Sequence, residues 1–409
     1  MKYAIVIPDG CADEPQVSLD GKSPLQAAHK PNMDRIARLG AVGRSNNVPP
    51  TLTPASDVAT LSLFGYDPLE VYTGRAPLEA AAMGVHLGPD DWAIRCNLVT
   101  IEDETMRDFT AGHIDNASGE ELIEAIQQAL GGQVPRRSLG EQDANLEFHA
   151  GVSYRNLLIY RSSGSAPFSN QTKTQPPHDI PDQSIVNYLP HGPGSQLLVH
   201  LMEESRAIFR AHPVNQRRRA RGEREATQIW LWGQGKAPSL RSFREVYGIN
   251  GAIISAVDLV RGVGILLGWK RIDVRGATGY LDTDYAAKGR AGIDALKESD
   301  LVCIHVEAPD EASHEGKADA KVKALEEIDR HIVGPLVEAL QEYGDWRMLV
   351  SPDHRTPLRT RAHAHGAVPF VWAGTGIAPC GQAAYDEAVA ASSELAFEKG
   401  HELMKHFLT

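Results

Sequence analysis

Three short apolar runs, each ending on an aspartate, constrain this chain more than anything else in it. Residues 3–7 stop at Pro8-Asp9-Gly10, residues 301–306 run into Glu307-Ala308-Pro309-Asp310, and residues 347–351 run into Pro352-Asp353-His354. A continuous apolar run of this length reads as a strand buried on both faces, the kind found in parallel sheets. Helical spacing lies between them: over residues 320–340, Val322, Leu325, Ile328, Ile332, Leu336 and Leu340 recur every three or four positions. Strands alternating with helices imply an α/β fold with a doubly wound, mostly parallel sheet. Ligands of such sheets bind outside the carboxyl ends of the strands, where these aspartates stand.

A chain of 409 residues exceeds the size at which one hydrophobic core keeps growing. Its middle also departs from the strand and helix alternation. Residues 120–130 predict a helix, 156–160 a strand, and 162–183 are rich in Ser, Pro and Gln. We expect an inserted α+β domain over residues 78–222, with the first domain split into 1–77 and 223–409. Arg217, Arg218, Arg219, Arg221 and Arg224 crowd the end of the insertion. Such runs are usually solvated helix faces or linkers; a phosphate-binding role is the alternative.

With 42% apolar and 23% charged residues, the composition is that of a folded globular protein. The formal charge of −12 argues against a nucleic-acid partner held by phosphate neutralisation. Cys11, Cys96, Cys303 and Cys380 form no CxxC pair or framework, which points to free thiols in a reducing compartment. No run approaches the roughly 18–20 apolar residues of a membrane span, and the chain opens directly on a strand. The expectation is an unprocessed, cytoplasmic protein with no membrane partner.

The chemistry lies in a set of positions that are weak one by one. Asp310 and His314 are four apart after a strand, a spacing that places carboxylate and imidazole on one side of a helix start; a capping Asp and a structural His would share it. Asp353 and His354 are neighbours just beyond a strand, where irregular backbone lets both converge on one ion. His363 follows ten residues after Asp353. Taken together, Asp and His donors at several strand ends suit two divalent ions such as Zn²⁺, Mn²⁺ or Mg²⁺. Two-metal sites support in-line phosphoryl displacement. Ser56 is the candidate nucleophile, because metal coordination activates a hydroxyl that is otherwise a poor one. It could equally cap a helix beginning at Asp57. The run Gly233-Gln234-Gly235-Lys236 lacks the spacing of a phosphate loop, and Gly262 and Gly264 read as packing positions in a helix.

Asp9-Gly10, Ser56-Asp57, Asp310 with His314, Asp353-His354 and His363 occur together with Leu63-Phe64-Gly65-Tyr66-Asp67-Pro68, Tyr72-Thr73-Gly74-Arg75-Ala76-Pro77 and Trp230-Leu231-Trp232-Gly233-Gln234-Gly235. With these the chain resembles, almost end to end, the cofactor-independent phosphoglycerate mutases of the archaeal type, members of the alkaline phosphatase superfamily. The resemblance implies an alkaline-phosphatase-like α/β domain split around an inserted phosphotransferase domain. It implies one metal held by Asp9, Ser56, Asp353 and His354, and another held by Asp310, His314 and His363. In that family the serine takes the phosphoryl group from 3-phosphoglycerate, and the trapped glycerate takes it back on its 2-hydroxyl. No 2,3-bisphosphoglycerate is needed, and the substrate is a small phosphorylated hydroxy acid. Arg75, Arg95, Arg155, His178 and Lys288 are candidate contacts for its carboxylate or phosphate.

Two departures stand out: Ser313 occupies a position where the family often has Gly, and Gly366-Ala367-Val368-Pro369 replaces its usual Asp-Pro-Val-Pro. His365 thereby competes with His363, although counting back from Pro369 favours His363. Val306-Glu307-Ala308-Pro309-Asp310-Glu311-Ala312 is also similar to a bacterial branch with proposed homoserine kinases. A homoserine-kinase-like phosphotransferase and a metal-dependent phosphatase are therefore the competing functions. Metal identity and oligomeric state are not legible in the sequence.

Overall fold

The computed structural model describes residues 1–133, 144–162, 164 and 166–409. Ser163 and Ser165 of the Ser/Pro/Gln-rich stretch, and residues 134–143 of the expected insertion, lie outside them. The strands, in chain order, are β1 (Lys2–Pro8), β2 (Ala41–Ser45), β3 (Trp92–Glu102), β4 (Thr105–Asp108), β5 (Gly132–Gln133), β6 (Ala144–Val152), β7 (Arg155–Ser162), β8 (Gln228–Lys236), β9 (Gly251–Ile254), β10 (Lys270–Arg271), β11 (Leu301–Val306), β12 (Trp346–Val350), β13 (Val368–Gly374) and β14 (Ala396–Phe397). They form two sheets, and the chain divides into two compact units: Met1–Tyr72 with Ser239–Thr409, and Thr73–Pro238.

The first unit is α/β. Its sheet has the order β10-β9-β11-β1-β12-β13-β2-β14, and β13 runs antiparallel to both neighbours while the other pairings are parallel. β1 sits between β11 and β12, with Ile7 opposite His305 and Val6 opposite Val350. All three are buried nearly throughout. That is why their sequence is continuously apolar instead of alternating. The parallel register brings the carboxyl ends of all three to one edge. The ladder extends into the loops there: the Asp9 amide donates to the Val306 carbonyl at 3.0 Å and the Ser351 amide to the Val6 carbonyl at 3.1 Å.

Helices cover this sheet with the expected apolar faces. The stretch predicted as one helix is the helix Ala318–Ile328, a π turn Asp329–Val333 and the helix Gly334–Gln341. The wider turn carries Asp329, whose carboxylate accepts from the Asn32 and Met33 amides at 3.1 and 2.7 Å and so satisfies the start of the helix Pro31–Leu39. Gly264 packs its helix, Asp258–Leu266, against β9: a Cβ there would lie 2.8 Å from the Ile253 side chain.

The second unit is α+β. β8 and β7 both pair with β3, and every pairing in this sheet is antiparallel. The helices Asn116–Leu130 and Ser195–Ala211 contribute Leu122, Ile123, Ile126, Leu198, Leu201, Met202 and Phe209 to its core. β8 belongs here because Ile229, Leu231 and their neighbours pair with Leu98 and Cys96, so the unit ends at Pro238 and not at 222. It starts at Thr73, since Ala76 and Ala80 pack with Ala93, Leu157 and Ile159. Gly233 to Lys236 lie in β8 and form no phosphate loop. The arginine run begins on the helix Pro213–Ala220 and extends past its end to Arg224. Arg217, Arg219 and Arg224 pair with Glu121, Glu225 and Asp108. Arg218 is buried and donates to the carbonyls of Ala111 and Arg224 at 2.9 and 2.7 Å. Among the described residues no helix is long and apolar enough to cross a membrane.

One fully buried ion pair in the first unit joins sequence-distant segments. Lys321 Nζ lies 2.8 Å from Asp13 Oδ2 and donates to the Thr356 carbonyl at 3.0 Å. Asp13 in turn accepts from the Leu358 amide. Lys321→Met strands a buried carboxylate, and breaking such a pair costs about 3–5 kcal/mol. Urea denaturation should show a loss of that size; a loss below about 1 kcal/mol would mean the pair is replaceable by packing.

Candidate active site

Asp9 leaves the end of β1, the helix Ala308–His314 follows β11 after one residue, and Asp353-His354 lie just beyond β12. The side chains meet at the sheet edge in two adjoining clusters. In the first, His354 Nε2 lies 3.2 Å from Ser56 Oγ, 3.4 Å from Asp9 Oδ1 and 3.5 Å from Asp353 Oδ2. In the second, Asp310 Oδ2 lies 3.0 Å from His314 Nε2 and 3.4 Å from His363 Nε2, and the two imidazole nitrogens are 3.1 Å apart. Asp310 and His314 stand four apart on one helix face. His365 is exposed and His363 is the histidine that joins the cluster.

Ser56 is the first residue of the helix Ser56–Leu63, whose N-cap is Ala55 with no side-chain cap. Its hydroxyl is therefore directed to His354 and does not cap the helix. Gly10 makes the crowding possible. It takes φ +58°, and a Cβ there would lie 2.2 Å from Asp310 Oδ1 and 2.6 Å from Thr356 Oγ1.

The orienting bonds involve residues that the sequence did not single out. His305, near the end of β11, places its Nε2 2.9 Å from Asp9 Oδ2 and its Nδ1 3.2 Å from Ser255 Oγ. Thr356 Oγ1 lies between His354 Nδ1 and Asp310 Oδ1. His314 Nδ1 is 2.9 Å from the carbonyl oxygen of Arg361, a residue with left-handed φ of +54°. The signal for His305 was a polar residue inside an apolar strand; Thr356 carried none.

The electrostatics divide the two clusters. Burial, then the charges of Asp353, Asp310 and Glu307, push Asp9 well above the usual carboxylate range. Burial also opposes the charge of Asp310, but hydrogen bonds from His314 and His363 overcome it and hold that carboxyl well below its usual value. The same bond raises His314 to about 9 against its own burial. Burial lowers His354 and takes His305 down to about 4.

Among the described residues, Asp9 Oδ1 and Asp353 Oδ2 are buried with no hydrogen-bond partner. Unpartnered buried carboxylate oxygens are costly. Both lie within 3.5 Å of the same imidazole nitrogen, which also faces the Ser56 hydroxyl, so this donor set fits a divalent cation. Among the described residues, two groups of three have ligand atoms within 4.8 Å of one another: Asp9, His305 and Asp353, and Asp310, His354 and His363. A cation would reverse the shift at Asp9 by favouring its charged form.

The candidate substrate contacts fall in two places. Lys288, fully buried in the first unit, donates to the His305 carbonyl at 3.2 Å, and burial lowers it to about 8. In the second unit the Arg95 guanidinium lies 4.2 Å over the Trp232 ring and 2.8 Å from Glu79, and the His178 ring meets Trp232 at 5.3 Å. Burial and the charges of nearby Arg75 and Arg155 lower Arg95, against the pull of Glu79. Arg155 is exposed, beside the Tyr154 ring.

A mostly parallel α/β sheet with a carboxylate and imidazole centre at its carboxyl edge, beside a serine at a helix start, defines the class. Residues 37–215 match the sequence profile of the 2,3-bisphosphoglycerate-independent phosphoglycerate mutases. The chain is 45% identical over 407 residues to the enzyme of that name from Methanothrix thermoacetophila, covering 99% of each, and 46% identical over 406 residues to one from Methanothermobacter thermautotrophicus, covering 99% of this chain and 96% of the other. Among solved structures it is similar to the cofactor-independent phosphoglycerate mutase of Thermoplasma acidophilum, with TM-score 0.67, 26% identity and coverage of 100% and 99%. A Pyrococcus horikoshii protein gives TM-score 0.80 at 26% identity, with coverage of 100% and 96%. The chain belongs to the family of 2,3-bisphosphoglycerate-independent phosphoglycerate mutases.

Gly10→Ala, at φ +58°, should be more damaging than Gly21→Ala, which also has a positive φ, +76°, but has open space around it. Backbone strain alone costs about 1–2 kcal/mol at either position; only Gly10→Ala must also displace Asp310. Denaturation curves for the two variants test this, and equal losses would remove the steric argument.

Proposed function

We propose that the protein interconverts 3-phosphoglycerate and 2-phosphoglycerate without 2,3-bisphosphoglycerate, through a phosphoserine on Ser56. The observation that carries this is the placement of the Ser56 hydroxyl beside His354 Nε2 and two unpartnered buried carboxylate oxygens, in a chain of the mutase family. Asp9, Ser56, Asp353 and His354 would hold one divalent ion, and Asp310, His314 and His363 another. When bound, these ions supply the positive charge that lowers the pKa of the serine hydroxyl and neutralises the phosphoryl oxygens.

Ser56 Oγ forms a bond to phosphorus as the bond to the substrate 3-oxygen breaks, and that oxygen takes the proton the serine gives up. The phosphoryl group then sits at the N-terminus of the helix Ser56–Leu63, whose polarity favours an anion. The 2-hydroxyl of the retained glycerate attacks the same phosphorus, and its proton returns to Ser56. Retention requires that the carboxylate be held and that water be kept from the phosphoserine. We assign the carboxylate contact to Arg75, Arg95 and Arg155, because a guanidinium matches a carboxylate with two parallel hydrogen bonds, with His178 beside them. We assign Lys288, which donates to the His305 carbonyl, to holding the end of β11 and, with it, the histidine that orients Asp9. The Thr73–Pro238 unit is then the substrate-retaining domain. All four cysteines are free, which supports a cytoplasmic setting.

Purified protein with Mn²⁺ should interconvert the two acids, followed by ³¹P resonance, with no bisphosphoglycerate added. Steady release of inorganic phosphate, or phosphoryl transfer from ATP to homoserine without isomerisation, would contradict the reading. Ser56→Ala should lose roughly a thousandfold or more.

Chelation by EDTA should abolish activity and Mn²⁺ should restore it. A cation must displace the proton that Asp310 holds on His314 up to about pH 9. Apparent Mn²⁺ affinity should therefore rise by about tenfold per pH unit below that value, for one proton displaced. A flat pH profile of Mn²⁺ affinity would exclude His314 as a ligand.

A further inference from the structure

We propose that Thr356 is a positioning residue: its hydroxyl, shared between His354 Nδ1 and Asp310 Oδ1, fixes the tautomer of the one and the orientation of the other, and so ties the two clusters together. Thr356 is fully buried. Its Oγ1 lies 2.5 Å from Asp310 Oδ1 and 3.2 Å from His354 Nδ1. A hydroxyl has one proton to give, and a carboxylate only accepts. The Thr356 proton therefore goes to Asp310, and the contact with His354 requires that Nδ1 carry the hydrogen.

The lone pair of His354 is then on Nε2, the atom that faces Ser56 Oγ, Asp9 Oδ1 and Asp353 Oδ2. On Asp310 the same bond occupies Oδ1 and leaves Oδ2 to His314 and His363. Partners of this outer kind set which nitrogen of a histidine is available as a ligand.

Thr356 is itself held in place. Its carbonyl accepts from Lys321 Nζ, whose charge is fixed by Asp13. Gly10 leaves the space its hydroxyl fills, since a Cβ there would lie 2.6 Å from Oγ1. The chain Asp13, Lys321, Thr356 thus anchors the segment that carries His354, and the hydroxyl passes that anchorage to both clusters.

The affinity consequence rests on the two-metal reading of the site; the tautomer does not. A long-range ¹H–¹⁵N spectrum of the metal-free wild-type protein, labelled at histidine, should show His354 protonated on Nδ1. Protonation on Nε2 overturns the proposal, whether or not any variant folds. Thr356→Val should keep its near-ultraviolet dichroism yet bind Mn²⁺ about 10–100-fold more weakly by calorimetry, with kcat reduced and KM for 3-phosphoglycerate unchanged. Thr356→Ser should restore both. Wild-type Mn²⁺ affinity in Thr356→Val, or a Thr356→Ser protein as impaired as the valine variant, overturns the proposal. If the wild type binds no Mn²⁺, the two-metal reading fails separately, and the tautomer decides on Thr356.

Discussion

The whole arrangement depends on β1 being sandwiched in parallel between β11 and β12. Hydrogen-bonded parallel strands have a fixed register, so the loops leaving their carboxyl ends emerge side by side. Here that register joins the first ten residues of the chain to segments some three hundred residues later. Everything between must be accommodated elsewhere, and a second compact unit, Thr73–Pro238, takes up much of it. The discontinuity of the first unit is thus a consequence of its sheet order.

The same register concentrates charge where it is costly. Asp9, Asp353 and Asp310 are all nearly or fully buried, and like charges at such distances in a low dielectric repel strongly. The chain offsets this unevenly. Asp310 has two imidazoles against it; Asp9 has the hydrogen bond from His305 on one oxygen and, among the described residues, none on the other. A site that tolerates unpaired buried carboxylate oxygens is preorganised for positive charge brought from outside. That preorganisation is also what would make a serine hydroxyl useful as a nucleophile.

Much of this was legible in the sequence, for physical reasons that also explain the rest. Buried parallel strands are continuously apolar, so β1, β11 and β12 announced themselves, and the residues after them were the natural place to seek chemistry. The spacing of Asp310 and His314 survived because a helix repeats it. β8 was assigned to the wrong unit because Ile229 to Trp232 look like any buried strand, and only its pairing with β3 shows which sheet it joins. The π turn at Asp329 left the three-and-four spacing of Ile328, Ile332 and Leu336 intact and so could not be seen. Lys321 acts through Asp13, some three hundred residues away, and Thr356 reaches Asp310 on another element as well as its near neighbour His354, which no local pattern encodes. The arginine run misled in part: Arg218 is a buried structural cation, while its neighbours make surface pairs.

Two adjoining side-chain clusters at one sheet edge are each proposed to hold a divalent ion. Crystals grown with Mn²⁺, measured on both sides of the manganese absorption edge, test it most directly. Two anomalous peaks are expected, one bounded by Asp9, Ser56, Asp353 and His354, the other by Asp310, His314 and His363. A single peak, or peaks away from these residues, would contradict the account.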